Sequence, residues 1–180
     1  MKIGKYSIGV RDRFSHQGVA QLRAIMKANE TGLEISPVWN KSNREHIYVH
    51  SDPADVRKEA DAAVAKLGYK GLYFVDADHI NLSTVAPFVE TADFFTLDVA
   101  AFIGKPSSEA DVAAFVASCE KYMGELSIPG MEKPLHISKE MLEAIASKFL
   151  AATQQASEIY KYLVENKGVG NFITEVSMDE

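Results

Sequence analysis

The chain is predicted to be an α/β protein built from parallel strand-helix units, and three observations predict it. Short apolar runs alternate with longer segments whose apolar residues recur at helical spacing, and strands joined through helices pair in parallel. In 180 residues, 47% apolar content is enough to bury a sizeable core, which fits one domain or a large piece of one. The strand C-terminal ends are crowded with ionisable groups while the N-terminal ends, "GKY", "GLE", "YKGL", "TAD" and "GVGN", are bland. In parallel folds the functional side chains leave the core at the C-terminal ends.

The first strand is "YSIGV", followed by the polar run "RDRFSHQG" and a helix carrying Val19, Leu22, Ile25 and Met26 inward. "LEISPVWN" reads as a second strand, and Pro37 predicts an irregular or edge position for it. "KSNREH" reads as a polar loop. "SDPADVRKEADAAVAKLG" has a helix start at Asp52 and Pro53, apolar positions Val56, Ala60, Ala63, Val64 and Leu67, and a glycine stop at Gly68. A third strand, "LYFVDAD", leads to a short helix from about Ser83 with Val85, Phe88 and Val89 inward. The fourth strand, "DFFTLDVA", begins at Asp93. Residues 107–168 then read as a helical insertion or elaborate crossover: one helix in "SSEADVAAFVASCEKYMGEL", a Pro/Gly connector "SIPGMEKP", and a long helix stopped by Gly168. "NFITEVSMDE" is the fifth strand. No repeat of fixed period is present.

Composition excludes several functions. With 25 acidic against 19 basic residues, the net charge of -6 argues against nucleic acid or an anionic membrane as partner. The single cysteine, Cys119, rules out an internal disulfide framework and reads as a buried, inert thiol. The N-terminus lacks a signal-peptide apolar core, and no run reaches about 18 apolar residues, so a cytoplasmic location is expected. There is no GxGxxG, P-loop or GxSxG motif, which removes dinucleotide, nucleoside-triphosphate and acyl-hydrolase readings.

The polar strand ends are Arg11, Asp12, Arg13 and His16; Trp39, Asn40, Lys41, Asn43, Arg44 and His46; Asp76, Asp78 and His79; Asp98; and Glu175, Ser177 and Asp179. Side chains alternate along a strand, so Asp76 and Asp78 are expected on one face with His79 at the turn. Such a group suits a divalent Zn, Mn, Ni or Fe ion or acid/base work, and equally suits capping of the next helix. Trp39, Asn40, Lys41, Asn43 and Arg44 could hold a carboxylate or a polyhydroxyl substrate, or form an ordinary loop with Trp39 in the core. Arg11 and Arg13, with His16 close by, suit an anion or a surface ion pair. His50 and His136 read as capping or surface residues.

The blocks "YSIGVRDRFSHQG", "PVWNKSNREH", "YFVDADHINLSTV", "DFFTLDVA" with "IGKP", and "ITEVSMDE", in that order, resemble the N-terminal part of the tagaturonate epimerase family. The resemblance implies an isomerase of hexuronate catabolism that interconverts tagaturonate and fructuronate with a divalent metal on a barrel-like fold. It implies His79 and Glu175 as metal ligands and Asp78 and Asp98 as acid/base or supporting carboxylates. Arg13, Lys41, Arg44 and Lys105 would then grip the uronate carboxylate, beside His16, Trp39, Asn40 and Asn43. Family members are longer and carry further histidine-bearing strand ends, and a closed eight-stranded barrel needs about 250 residues. The expected fold is therefore an incomplete, half TIM-like barrel over 1–180, with the 107–168 insertion between its fourth and fifth strands. A fragment, a split enzyme completed by a second polypeptide, or a degenerate homologue would each fit, and a homo-oligomer or a complementing half is the expected partner. The alternatives are a non-catalytic half-barrel acting by association and an unrelated metal-dependent isomerase or aldolase on a sugar phosphate.

Overall fold

A computed structural model describes residues 1–178 of the chain. Five strands, β1 (Tyr6–Val10), β2 (Ile35–Ser42), β3 (Phe74–Ile80), β4 (Phe94–Asp98) and β7 (Ile173–Ser177), form one sheet in the order β1-β2-β3-β4-β7. Every neighbouring pair is parallel. The strands curl through 201° into a half-barrel.

Two compact units are present. The first comprises Met1–Asp98 and Glu158–Ser177 and holds the whole curled sheet; the second is built on Val99–Ser157.

In the first unit, helices α1 (Gly18–Asn29) and α3 (Pro53–Leu67) cover the outer face of the sheet. Leu22 from α1, Val56, Ala60 and Ala63 from α3, and Trp39 and Val75 from the strands form one buried cluster. Helix α3 starts where its sequence dictates. The Asp52 side chain accepts from the Ala54 N–H and Asp55 reaches back to the Asp52 N–H, with Pro53 at the first helical position. Gly68 closes α3 in the left-handed conformation at φ 62°. Arg57 of α3 anchors the helix to β4 by a 2.7 Å ion pair with Asp93, whose other oxygen accepts from the Val75 N–H. Leu22 is fully buried, so Leu22→Ala should lower the unfolding free energy by about 2–5 kcal/mol; a urea midpoint shift corresponding to less than about 1 kcal/mol would mean that the α1 contact collapses without cost.

On the inner face, Val38, Phe74 and Phe94 pack with Ile173 into an apolar floor. One pleat further along the same strands come Asn40, Asp76, Thr96 and Glu175, in register as Asn40↔Asp76 and Thr96↔Glu175. The interior thus passes from apolar to polar toward the C-terminal ends of the strands.

Three local expectations need correction. Pro37 does not place its strand at an edge: β2 lies between β1 and β3, and its pairing with β3 begins only at Val38, so the missing proline N–H falls outside that ladder. "KSNREH" is not a loop, because β2 runs to Ser42 and helix α2 (Asn43–Val49) follows at once. Its start is a capping box in which Ser42 accepts from the Glu45 N–H and Glu45 from the Ser42 N–H. The helix expected from Ser83 is reduced to a turn and one 3-10 turn at Ala86–Phe88, with Pro87 inside it, although Val85, Phe88 and Val89 are buried as anticipated.

In the second unit, α4 (Glu109–Cys119) is capped by Ser108, which accepts from the Asp111 N–H. The connector after it contains a two-stranded antiparallel hairpin, β5 (Gly124–Leu126) with β6 (Leu135–Ile137). Val116, Ile137 and Leu142 form this unit's core, and Cys119 is half-buried against it. Helix α5 (Lys139–Lys167) begins here, and from Glu158 onward it belongs to the first unit.

Candidate active site

The polar rim of the half-barrel is assembled from β1, β2, α2, β3 and β4. Arg11 immediately follows β1 and donates to Glu45 of α2 through Nε at 3.0 Å and Nη2 at 2.6 Å, while Nη2 also lies 3.4 Å from Asp78 Oδ2 on β3. Arg13 Nε approaches the second Glu45 oxygen at 3.5 Å. Burial alone would raise the Glu45 carboxyl, but hydrogen bonds from Arg11, the Ser42 N–H and Arg13 hold it below its ordinary value. Arg11 in turn is raised, chiefly by its bond to Glu45. Both guanidiniums remain about half exposed, with side-chain exposures of 50% and 56%, so each keeps donors for a ligand. The Asp12 carboxylate between them holds the turn into α1 by accepting from the N–H groups of Phe14, His16 and Gln17.

Strand β3 carries the chemistry named by "FVDADHIN". Ala77 pairs with Phe95 and Ile80 with Leu97, so β3 holds one extra residue between them. His79 sits in this bulge with φ 50°, a left-handed conformation that is uncommon for a non-glycine residue. The irregularity brings the imidazole to the neighbouring strand end: Nδ1 lies 3.8 Å from Asp98 Oδ2 and Nε2 lies 3.9 Å from Asp78 Oδ1. These separations are too long for hydrogen bonds, and Nδ1 is a buried nitrogen without a hydrogen-bond partner. Asn40 Oδ1, on the inner face, is likewise buried and unpartnered. Asp76 is 5% exposed and accepts from the Thr96 N–H at 3.1 Å and hydroxyl at 3.0 Å. Burial, and then the charge of Asp78, push its carboxyl up to about 7.

The structure therefore brings together Asp78, His79 and Asp98, with Arg11, Arg13 and Glu45 alongside. Arg44 is exposed and shares a cavity of about 520 Å³ with Arg11, Arg13, Glu45 and Tyr48. Asn43 opens α2 and is half-buried. Glu175 is exposed on edge strand β7, paired in register with Thr96, and its charge is felt by Asp76. Lys105 belongs to the second unit, where its ammonium lies 4.3 Å from the Phe102 ring centre. Asp179 lies outside the described residues.

Three residues expected at the rim are elsewhere. Trp39 is 2% exposed in the outer core, and its indole N–H donates to Gln21 at 3.0 Å, so its ring offers no surface to a rim ligand. Lys41 shares that outer face by strand alternation, is 1% exposed and donates to Ser51 at 2.8 Å. His16 also lies on this outer side, exposed, in the wall of a separate cavity. Glu45 was missed, although "SNRE" carries the Ser-x-x-Glu signature of a capped helix start.

An unpartnered imidazole nitrogen between two carboxylates suits a divalent cation, yet among the described residues no group of three or more His, Cys, Asp or Glu is placed to hold one.

The family model described as tagaturonate epimerase, UxaE, matches residues 1–180. The chain belongs to the tagaturonate epimerase family. Crystal structures of fructuronate-tagaturonate epimerase UxaE from Cohnella laeviribosi share its fold. The two-glycerol complex has a TM-score of 0.76 and 21% identity over 100% of this chain and 39% of that one. The one-glycerol complex has a TM-score of 0.74 and 21% identity over 97% and 37%. The native crystal structure gives 0.64 and 18% over 95% and 36%. This member of the epimerase family thus spans less than two fifths of the length of those solved chains. Comparison with curated proteins by sequence gives no match. No helix among the described residues is long and apolar enough to cross a membrane.

Proposed function

We propose that this chain contributes the N-terminal half of the active site of a cytoplasmic epimerase that interconverts tagaturonate and fructuronate. The observation that carries the reading is the convergence of Asp78, His79 and Asp98 at the C-terminal strand ends, in a chain matched by the family model along its whole length. The two sugar acids differ at a carbinol carbon β to the ketone, whose hydrogen is not acidified by enolisation. Retro-aldol chemistry meets that constraint. A carboxylate takes the β-hydroxyl proton, the bond between the α and β carbons breaks with its electron pair passing into the enediolate, the aldehyde turns its other face, the same bond re-forms, and the carboxylic acid returns the proton to the new alkoxide. Asp98 suits the base because its side chain is 31% exposed, whereas Asp78 is 9% exposed and faces Arg11. Arg11 and Arg13, with Arg44, suit the uronate carboxylate, since a guanidinium can bind it by two parallel bonds.

A divalent ion would polarise the ketone and stabilise the enediolate. His79 and Glu175 are the donors this chain would offer it, and a complete set needs further ligands from the remainder of a full-length family member or from a complementing chain. Such a partner, or a second copy, would also meet the open edges of the sheet, where Tyr6 and Ile8 of β1 and Val176 of β7 are 45%, 49% and 48% exposed.

The test is conversion of tagaturonate to fructuronate with added divalent metal by the chain together with its complementing half, comparing wild type and His79→Ala with parallel metal-content measurements. Loss of both bound metal and turnover in the variant is expected. Unchanged metal stoichiometry in His79→Ala removes the ligand assignment, and a preference for phosphorylated ketoses removes the substrate assignment.

A further inference from the structure

A second cavity, of about 730 Å³, opens on the outer side of β2, bounded by the turn into α1 and by α3. Its volume is within the usual range for small-molecule sites, roughly 300–1,000 Å³. Lys41 forms part of its wall and is the unusual group in it. An ammonium that is 1% exposed normally has a carboxylate beside it, because desolvating an unpaired charge is costly. Here no ion pair joins Lys41 to a carboxylate among the described residues, and its hydrogen bond goes to the Ser51 hydroxyl.

Ser51 is fixed from its other side. Its Oγ lies 2.9 Å from His46 Nδ1, and burial, aided by the charge of Lys41, holds the His46 imidazole below its usual value. Lys41 donates to the Ser51 hydroxyl oxygen, and the hydroxyl shares its second bond with the imidazole. Burial lowers the Lys41 amine from its ordinary value, opposed by the charges of Glu45, Asp55, Asp12 and Glu59, and its bond to Ser51 takes one of the ammonium's three hydrogens. Around the wall, Arg13, Lys58 and Lys66 stand against Asp55 and Glu59, so with Lys41 this cavity carries an excess of positive charge in a chain of net charge -6. Glu59 already satisfies the Gly18 N–H at 2.6 Å, so the start of α1 is not the attraction.

We propose that this cavity is a second ligand site, separate from the strand-end rim, which binds a polyhydroxylated anion, a sugar acid or sugar phosphate, with its anionic group on Lys41. The acidic side chains and Ser51 suit the hydroxyls, and the cations suit the carboxylate or phosphate. Arg13 borders both this cavity and the rim, where it meets Glu45, and so joins the two sites physically. The inference stands independently of the epimerase reading.

Calorimetric titration of the chain with galacturonate in one arm and glucose 6-phosphate in the other tests it, with inorganic phosphate as the charge-only control. At least one sugar should bind more tightly than phosphate. Lys41→Met should weaken that binding by about ten- to a hundredfold, while Asp98→Asn at the rim should leave it unchanged. An apolar side chain replaces the buried cation, so the variant is expected to fold, and Ser51→Ala provides a second perturbation with a smaller loss in the same direction. Absence of binding by either sugar, wild-type affinity in both cavity variants, or equal weakening by Asp98→Asn overturns the proposal. Phosphate binding as tightly as the sugars overturns the polyhydroxyl specificity.

Discussion

Glu45→Ala is expected to lower the unfolding free energy by about 2–4 kcal/mol, although Glu45 makes no contribution to the apolar core. The carboxylate is 6% exposed and serves three partners at once: it bonds Arg11 at two nitrogens, approaches Arg13, and closes the capping box on the Ser42 N–H. Loss of the capping function alone costs about 1 kcal/mol. The charge-assisted bonds from Arg11 would add about 1.5–3 kcal/mol each if dry. Arg11 and Arg13 are about half exposed and rehydrate when the partner is removed, so the sum is discounted toward the values of exposed pairs. Glu45→Gln keeps the volume and one acceptor, and should cost roughly half as much. Urea denaturation of wild type and both variants measures the difference. A Glu45→Ala chain within about 0.5 kcal/mol of wild type would show that the Arg11–Glu45–Asp78 cluster is not a structural anchor. The same substitution releases Arg11 and Arg13, which places the stability of the rim and its anion-binding capacity on one residue.

Asp76→Asn should remove a pH-dependent penalty from the wild-type protein. The Asp76 carboxyl is raised from 3.8 to about 7, by burial first and by the nearby Asp78 charge second. Between those two values the folded chain holds a proton that the unfolded chain has released, so stability falls as pH rises and the penalty is complete above about pH 7. Each pH unit inside this window is worth about 1.4 kcal/mol, which makes the change between pH 5 and pH 8.5 about 2–3 kcal/mol. Asparagine can accept from the Thr96 N–H and donate to the Thr96 hydroxyl, much as the protonated acid does, without ionising. The variant should therefore gain about 2–3 kcal/mol over wild type as pH is taken from 5 to 8.5. Denaturation midpoints at the two pH values, with a chelator present, give the result directly. Parallel pH profiles for the two proteins would place the titration elsewhere.

Much of this architecture is readable along the chain because its signals are local. The Asp52-Pro53 start and Gly68 stop of α3 depend on neighbouring residues only, and they appear where the pattern places them. The parallel sheet follows from the alternation of strand and helix signals. Helix α2 was legible in principle, since Ser42 and Glu45 have capping-box spacing, but its seven residues offer too little apolar periodicity to separate it from a loop. The hairpin of β5 and β6 is shorter still, at three residues per strand. At the rim, Asp78, His79 and Asp98 are strand-end residues by sequence, and they meet in the structure.

By itself the sequence determined the α/β class, the order of the strands along the chain and the concentration of ionisable groups at their C-terminal ends, because all three are written in periodicity and local composition. Only the tertiary structure decided which face each strand-end side chain took. Trp39 and Lys41 turn outward and Asn40 inward because β2 is a regular strand through Ser42 whose outer face must meet α1 and α3. His79 escapes the same alternation only through the extra residue in β3, an irregularity set by pairing with β4 and therefore by residues some twenty positions away.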